Sequence, residues 1–157
     1  MEIKNGYYVV YHGSEYSLLH GHMENRQNVL ILSHDRNDIC NGFKLSYSEE
    51  YMQKHNFFTC EKEVSGSEIT QAYEIRTYAN YRGLRLFAEQ EPNNVFQLVI
   101  TQVVNHNDYK MQDILTENGF TICEIDKTYF AYEKYVPIDD PELELFEERT
   151  ELDISKW

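Results

Sequence analysis

Four histidines in the first quarter of the chain are of a residue type that can bind a metal ion. His20 and His22 are two residues apart, so on a β-strand both side chains would point to the same face, while His12 and His34 lie in or beside neighbouring predicted strands. Three ligands from adjacent strands can form a zinc site, and a small metal-dependent enzyme is one interpretation of this region. No carboxylate accompanies them at an established spacing, and Gly21 favours a bend. We therefore predict surface histidines near a turn and no bound metal.

Other catalytic chemistry has no clear signal in the sequence. The 27 acidic residues are too many to single out a general acid and base, and no serine lies in a GxSxG turn. Cys40, Cys60 and Cys123 are widely spaced and form no CxxC motif, so they are predicted to be buried thiols and not a disulfide or zinc site. The glycines are scattered singly, without a phosphate-binding loop. The chain is predicted to have no enzyme activity and no cofactor.

The elements that would position functional residues are mainly β-strands, centred on residues 71–104. Positions 73–79 and 84–89 alternate between apolar and polar side chains with the period of two that is typical of a half-buried strand. Turns are predicted at Tyr81-Arg82-Gly83 and at residues 91–94. The third run, 95–100, is apolar on both faces, and we expect it to lie inside the sheet and to be covered on each side.

The flanking segments complete an α+β prediction. Short strands are predicted at 7–11, 16–20, 29–32, 43–47, 57–64, 121–125 and 129–136. Asn107 or Asp108 can cap a helix that ends before Gly119, and Met111, Ile114 and Leu115 share one of its faces. The predicted fold is predominantly antiparallel β-sheet with one clear helix, at about residues 107–118, packed on it.

Length and charge limit the function classes. A chain of 157 residues with 41% hydrophobic residues can form one core, so we predict a single β-rich domain over residues 1–136. The net charge of −13 disfavours nucleic acid and anionic membranes and favours cationic partners. The N-terminus lacks the basic and apolar segments of a secretory signal, and a cytoplasmic location is expected. Few alanines beside many asparagines and isoleucines suggest an AT-rich bacterial or phage genome.

Residues 137–157 differ in character from the rest. This segment has eight acidic and two basic residues, so it holds almost half of the net charge. Leu143, Leu145 and Phe146 could bind a sheet edge or form a short amphipathic turn, and Ile154 and Trp157 add apolar anchors. We expect an acidic C-terminal segment that is docked on the domain.

The overall profile resembles a known class of protein. A small, acidic, β-rich, cytoplasmic chain without catalytic motifs is similar to the immunity proteins that bacteria encode beside polymorphic, contact-delivered toxins. The resemblance implies an antitoxin that binds one cognate toxin domain and occludes its active site, and a basic nuclease is one such toxin. The alternative is a non-enzymatic binding or regulatory module of bacterial or phage origin.

An interface with a basic toxin would need concentrated negative charge and aromatic anchors. The residues predicted to bind the partner are therefore six acids of the C-terminal segment and three aromatic residues: Asp139, Asp140, Glu142, Glu144, Glu147, Glu148, Tyr78, Tyr81 and Trp157.

Overall fold

The computed structural model describes residues 2–20, 28–155 and 157, except for the side chain of His20. The described residues divide into two compact units. The N-unit comprises those within Gly6–Ile75 and Arg149–Trp157, and the C-unit comprises those within Met1–Asn5 and Arg76–Glu148. Within the described part of the chain, no helix is long and apolar enough to cross a membrane.

The N-unit is an antiparallel sheet with short helical segments. Its elements are β1 (Gly6–Tyr11), β2 (Ser14–His20), β3 (Asn28–Ser33), a 3-10 helix (Arg36–Asn41), β4 (Lys44–Leu45), α1 (Glu49–Lys54), β5 (Cys60–Ser65), a 3-10 helix (Gly66–Glu68) and the first part of β6 (Ile69–Tyr81). The strands pair in the order β4-β5-β3-β2-β1-β6. His12 and Gly13 join β1 to β2 with φ of 47° and 80°, which is the left-handed backbone that a two-residue hairpin turn requires.

The core of the N-unit lies on one face of this sheet. Val9, Val29, Ile31 and Cys60 are fully or almost fully buried there. Buried residues alternate with less buried ones at Val9 and Tyr11 of β1 and at Val29 and Ile31 of β3. Trp157 packs against the same cluster from the C-terminus.

The C-unit is also an antiparallel sheet. Its elements are the second part of β6, β7 (Leu84–Gln90), β8 (Gln97–Asn105), α2 (Tyr109–Glu117), β9 (Thr121–Ile125), β10 (Tyr129–Pro137) and β11 (Leu143–Glu151) as far as Glu148. The strands follow the order β6-β7-β8-β10-β9, and β11 pairs with β6. Leu98, Ile100, Leu115 and Phe120 belong to one buried cluster, so α2 covers one face of β8.

The prediction of a mostly antiparallel β-sheet protein is confirmed. The expectation of one clear helix is not confirmed as stated, because the described residues contain α1 as well as α2. Helix α2 begins after Asp108, whose carboxylate accepts the Met111 N–H at 3.1 Å, and Gly119 follows its C-terminus with φ of 84°. Helix α1 has only six residues, and its buried Met52 supplies the tertiary contact that so short a helix needs.

The strand predicted at 95–100 needs a correction. Val95 and Phe96 are exposed and precede β8, because the turn continues through Asn94, whose side-chain oxygen accepts the Phe96 N–H at 3.0 Å. Strand β8 does lie between β7 and β10, but only one of its faces is buried.

The single domain over residues 1–136 stays a prediction. In the acidic segment, residues Leu143–Glu151 form β11 and Leu143 and Leu145 pack on the core cluster of the C-unit. Beyond β11, the Leu152 N–H donates to the Ala72 carbonyl oxygen at 2.8 Å in the N-unit. The segment therefore has backbone pairing and apolar contacts of its own.

Candidate protein-binding face

The face of the C-unit sheet opposite its buried cluster carries a group of aromatic and charged side chains. Strand register places Tyr78 of β6 across from Phe87 of β7. Arg85 lies on the same face of β7, and Phe146 and Glu148 come from β11. We call these five residues the Arg85 cluster.

Contacts within the Arg85 cluster fix the position of β11. The ring of Tyr78 stacks on that of Phe146, with centroids 5.8 Å apart, and meets Phe87 edge-on at 6.0 Å. The guanidinium carbon of Arg85 lies 4.6 Å from the Tyr78 ring centroid and 5.3 Å from that of Phe146. Its Nη2 donates to the Glu148 carboxylate. One cation therefore joins three strands through two rings and one carboxylate.

The six predicted acidic residues divide into two groups in the structure. Glu142 accepts from Arg82 Nε at 2.5 Å and Glu148 accepts from Arg85, so both carboxylates are partly neutralised within the C-unit. The hydrogen bond to Glu142 raises the pKa of the Arg82 guanidinium. Asp140 accepts the Glu142 N–H at 2.8 Å and shapes the turn before β11.

The second group consists of Asp139, Glu144 and Glu147. All three are exposed and make no ion pair or hydrogen bond with another side chain among the described residues. The backbone that carries them is nevertheless held on the sheet by the contacts of Glu142, Phe146 and Glu148. These three carboxylates are the ones free to meet a cationic partner.

Two of the predicted aromatic anchors are placed otherwise by the structure. Tyr81 is only 1% exposed and its hydroxyl accepts from Lys134 Nζ at 2.9 Å, so its side chain is part of the core and is not presented on the surface. Tyr81 has the same strand parity as the buried Thr77 and Ala79, which places it in the core. Trp157 belongs to the N-unit, where it packs on the core cluster and against Gly66. The structure does not bring Trp157 into the Arg85 cluster.

A shallow groove of about 360 Å³ lies beside the Arg85 cluster. Tyr78, Arg85 and Phe87 form one side of it, and Thr101 and Val103 of β8 form the other. Val103 is 59% exposed and adds an apolar side chain to the open face of β8. The groove can accept an apolar or aromatic side chain of a partner, with the Glu148 carboxylate of β11 beside Arg85 at its edge.

The histidine region shows no metal site in its described part. His12 lies in the β1–β2 turn and its Nε2 is 3.3 Å from Glu68, while Nδ1 of His34 is 3.0 Å from the Phe58 carbonyl oxygen. His20 ends β2, and His22 lies outside the described residues. No group of three or more His, Cys, Asp or Glu side chains among the described residues could hold a metal ion.

A buried polar cluster in the N-unit was not predicted. Asp38 is buried and accepts hydrogen bonds from Ser33 Oγ at 2.5 Å, Asn41 Nδ2 at 2.9 Å and Tyr16 OH at 3.3 Å. Burial by itself would raise the pKa of Asp38, but these three hydrogen bonds outweigh it and lower the pKa. Burial raises the pKa of the nearby Cys60 thiol, which opposes a nucleophilic role. The prediction of buried thiols is confirmed for Cys60 and is wrong for Cys40 and Cys123, which are exposed. The cluster closes the loop after β3 and is structural.

Arg85 and Phe146 were also missed as members of the site. Arg85 had a usable signal, since it alternates to the polar face of β7 next to Phe87. Phe146 was expected to bind a sheet edge, but its partner Tyr78 could not be read from local patterns because 68 residues separate the two. The strand order that brings them together is a long-range property.

The fold and the site define an acidic, mostly antiparallel β-sheet protein with an ordered acidic strand beside an aromatic groove. The family described as uncharacterised conserved protein UCP033725 matches residues 3–155, and the chain belongs to this family. No curated protein and no solved structure matches the chain.

Proposed function

We propose that this protein is an immunity protein, an antitoxin of the bacterial cytoplasm that binds a basic toxin domain and occludes its active site. The observation that carries the proposal is the ordered acidic strand β11. Arg82 and Arg85 anchor it through Glu142 and Glu148, and Asp139, Glu144 and Glu147 remain exposed. Carboxylates on a backbone that is already ordered cost less conformational entropy on binding than those of a mobile tail.

The groove beside the Arg85 cluster supports the same proposal. Charge alone steers a partner and gives little affinity, whereas an aromatic groove provides the apolar contact that interface anchors need. Tyr78 keeps its predicted role as a partner-binding residue, and Phe87 and Val103 extend the surface. A nuclease domain with a cationic phosphate-binding cleft would match both the charge and the shape of this face.

The proposal is tested by capturing the partner protein and then measuring the growth of cells that express it. The full-length protein is used at low salt to retain a partner from the source cell, and the retained protein is then expressed alone and together with this chain. We expect a basic protein that arrests growth alone and is tolerated in the presence of this chain. A partner that causes no growth arrest would overturn the immunity function in favour of a binding or regulatory module.

Matched variants test the proposed surface. Replacing Asp139→Asn, Glu144→Gln and Glu147→Gln together should slow association by roughly ten-fold at low salt and flatten its salt dependence. The control carries the same change of charge at exposed acids elsewhere, Glu50→Gln, Asp113→Asn and Glu117→Gln, which form no ion pair with another described residue. Equal effects of the two variants would show that only net charge matters and would contradict the assigned face.

A further inference from the structure

A second pocket, in the N-unit, has features of a built binding site. It has a volume of about 370 Å³ and lies next to α1. Tyr47, Tyr51 and Phe57 form its aromatic wall, and Ser46, Thr59 and Glu61 supply polar groups. Leu19 and Leu32 complete the lining. The pocket shares no residue with the Arg85 cluster.

The aromatic wall is made of three rings in mutual contact. The Tyr47 and Tyr51 rings stack with centroids 5.3 Å apart, and Phe57 meets them nearly at right angles at 5.6 and 6.0 Å. Asn56 has φ of 54°, and this left-handed residue turns the chain back so that Phe57 N–H donates to the Met52 carbonyl oxygen at 3.1 Å. All three rings remain more than a third exposed. They form a π-surface that is held in place and open on one side.

Thr59 is buried, with only 8% of its surface exposed. Its Oγ1 is also buried but has no hydrogen-bond partner among the described residues. The Oγ of Ser46 is likewise buried and has no hydrogen-bond partner among the described residues. The two residues are neighbours, since the Ser46 N–H donates to the Thr59 carbonyl oxygen at 3.2 Å. Buried hydroxyl groups in proteins are nearly always hydrogen-bonded. Two unpaired hydroxyls on adjacent segments lining one pocket point to a ligand that pairs with them.

Glu61 adds an unpaired carboxylate. It is half-buried on β5 and makes no ion pair or side-chain hydrogen bond with another described residue. Its cross-strand neighbour Lys44 is exposed and does not come within ion-pair distance of it in the described structure. A half-buried carboxylate without a partner can bind a cation that also donates hydrogen bonds.

We propose that this pocket binds a guanidinium group. Its planar face stacks on the aromatic wall and its paired N–H groups donate to the Glu61 carboxylate. Its remaining N–H groups donate to Thr59 Oγ1 and Ser46 Oγ once these side chains rotate about χ1 and turn their buried oxygens towards the pocket. A guanidinium has five donors in one plane, whereas an ammonium is a compact point charge with a strong hydration shell, so the combination of acceptors and rings favours the former. The group comes from a free arginine-like compound or from an arginine side chain of a partner. This proposal does not depend on the immunity function.

Peptide probes on the full-length protein test the proposal. The tripeptide Gly-Arg-Gly is titrated and followed by NMR at the amides of Tyr51, Thr59 and Glu61, with Gly-citrulline-Gly as the uncharged isostere and Gly-Lys-Gly as the alternative cation. We expect saturable binding of the arginine peptide and at least about ten-fold weaker binding of the other two. Equal chemical-shift changes with the citrulline peptide, or no saturation with the arginine peptide at millimolar concentration, would overturn the proposal. Tighter binding of free L-arginine than of the tripeptide would identify a small-molecule ligand, and the reverse would identify a partner side chain.

Two variants separate binding from folding. Glu61→Gln should lower the affinity for the arginine peptide by about ten-fold or more. Glu63→Gln makes the same change of charge two residues along β5 and should leave this affinity within about two-fold of the wild type. Thr59→Val removes the unpaired hydroxyl and keeps the shape, so the melting temperature of the free protein should stay or rise while binding weakens. Unchanged binding in Glu61→Gln, or a lower melting temperature in Thr59→Val, would contradict the proposed roles.

Discussion

The guanidinium carbon of Arg85 lies 4.6 Å from the ring centroid of Tyr78. Both residues belong to strands that are neighbours in the sheet, but the same guanidinium also reaches Phe146 and Glu148 on β11. Residues 139–148 are thus held on the C-unit by a stack as well as by charge. This explains how a segment with so many carboxylates forms a strand and does not remain a solvated tail.

Replacing Arg85 should remove part of the interactions that attach β11 to the sheet. We expect Arg85→Ala to lower the free energy of unfolding by about 1–2 kcal/mol, from the lost cation–π contacts and a partly exposed ion pair. Glu148→Gln should cost no more than about 0.5 kcal/mol, because the stack on Tyr78 and Phe146 remains. Urea denaturation of the two variants measures the difference. A larger cost for Glu148→Gln than for Arg85→Ala would show that the ion pair dominates and would contradict the stacking argument.

Asp38 should make stability sensitive to acid. Its pKa is lowered in the folded protein, so its contribution is present above its ordinary pKa near 4 and is lost as the pH falls through the folded value. Asp38→Asn should lower the free energy of unfolding by about 2–4 kcal/mol at neutral pH, because an amide cannot accept from all three donors.

Urea denaturation at several pH values between 3 and 7 tests whether the contribution of Asp38 to stability is lost at acidic pH. The difference in free energy of unfolding between Asp38→Asn and the wild type should decrease as the pH falls below about 4. Asp35→Asn is the matched control in the same loop, since an asparagine can still accept the Asn37 N–H that Asp35 accepts at 2.9 Å. A gap that stays constant over this range would mean that the Asp38 charge does not stabilise the fold.

Local patterns predicted most strands, through alternation along β6 and β7 and through runs of strand-favouring residues between turns elsewhere. They located β1 to β3, β6, β7, β9 and β10 closely, and the same alternation would have placed Tyr81 in the core had it been continued from Ala79. The site was less accessible to prediction. The Arg85 cluster depends on β11 pairing with β6, and the pocket beside α1 depends on β4 and β5 meeting, so both need the long-range strand order that no local pattern contains.

Tyr73 should titrate far above an ordinary tyrosine. Burial, followed by its hydrogen bond to the Glu15 carboxylate, raises its pKa to about 12. Because the folded pKa lies above the unfolded value near 10, the protonated hydroxyl stabilises the fold below pH 10, and this contribution is lost as the pH rises through 12. The difference between the tyrosinate absorbance of the wild type and that of Tyr73→Phe isolates one of the 13 tyrosines. A midpoint of this difference curve near 10 would contradict the burial argument.

Gly66 and Trp157 should be coupled sterically. A Cβ at Gly66 would lie 3.0 Å from both the carbonyl carbon and the Cβ of Trp157, and Gly66 has no left-handed backbone that would itself require glycine. We expect Gly66→Ala to lower the free energy of unfolding by about 1–3 kcal/mol through overpacking, and to shift the emission of the single tryptophan to longer wavelength as the ring moves into water.

Deleting Trp157 provides the control for this coupling. In the shortened chain the added methyl group meets no neighbour from residue 157, so Gly66→Ala should cost less than about 0.5 kcal/mol or stabilise slightly by restricting the unfolded chain. The two substitutions should therefore be non-additive in a double-mutant cycle measured by urea denaturation. An equal cost of Gly66→Ala in both chains would place its effect elsewhere than at Trp157, and would remove the argument that the last residue is packed on the N-unit through this contact.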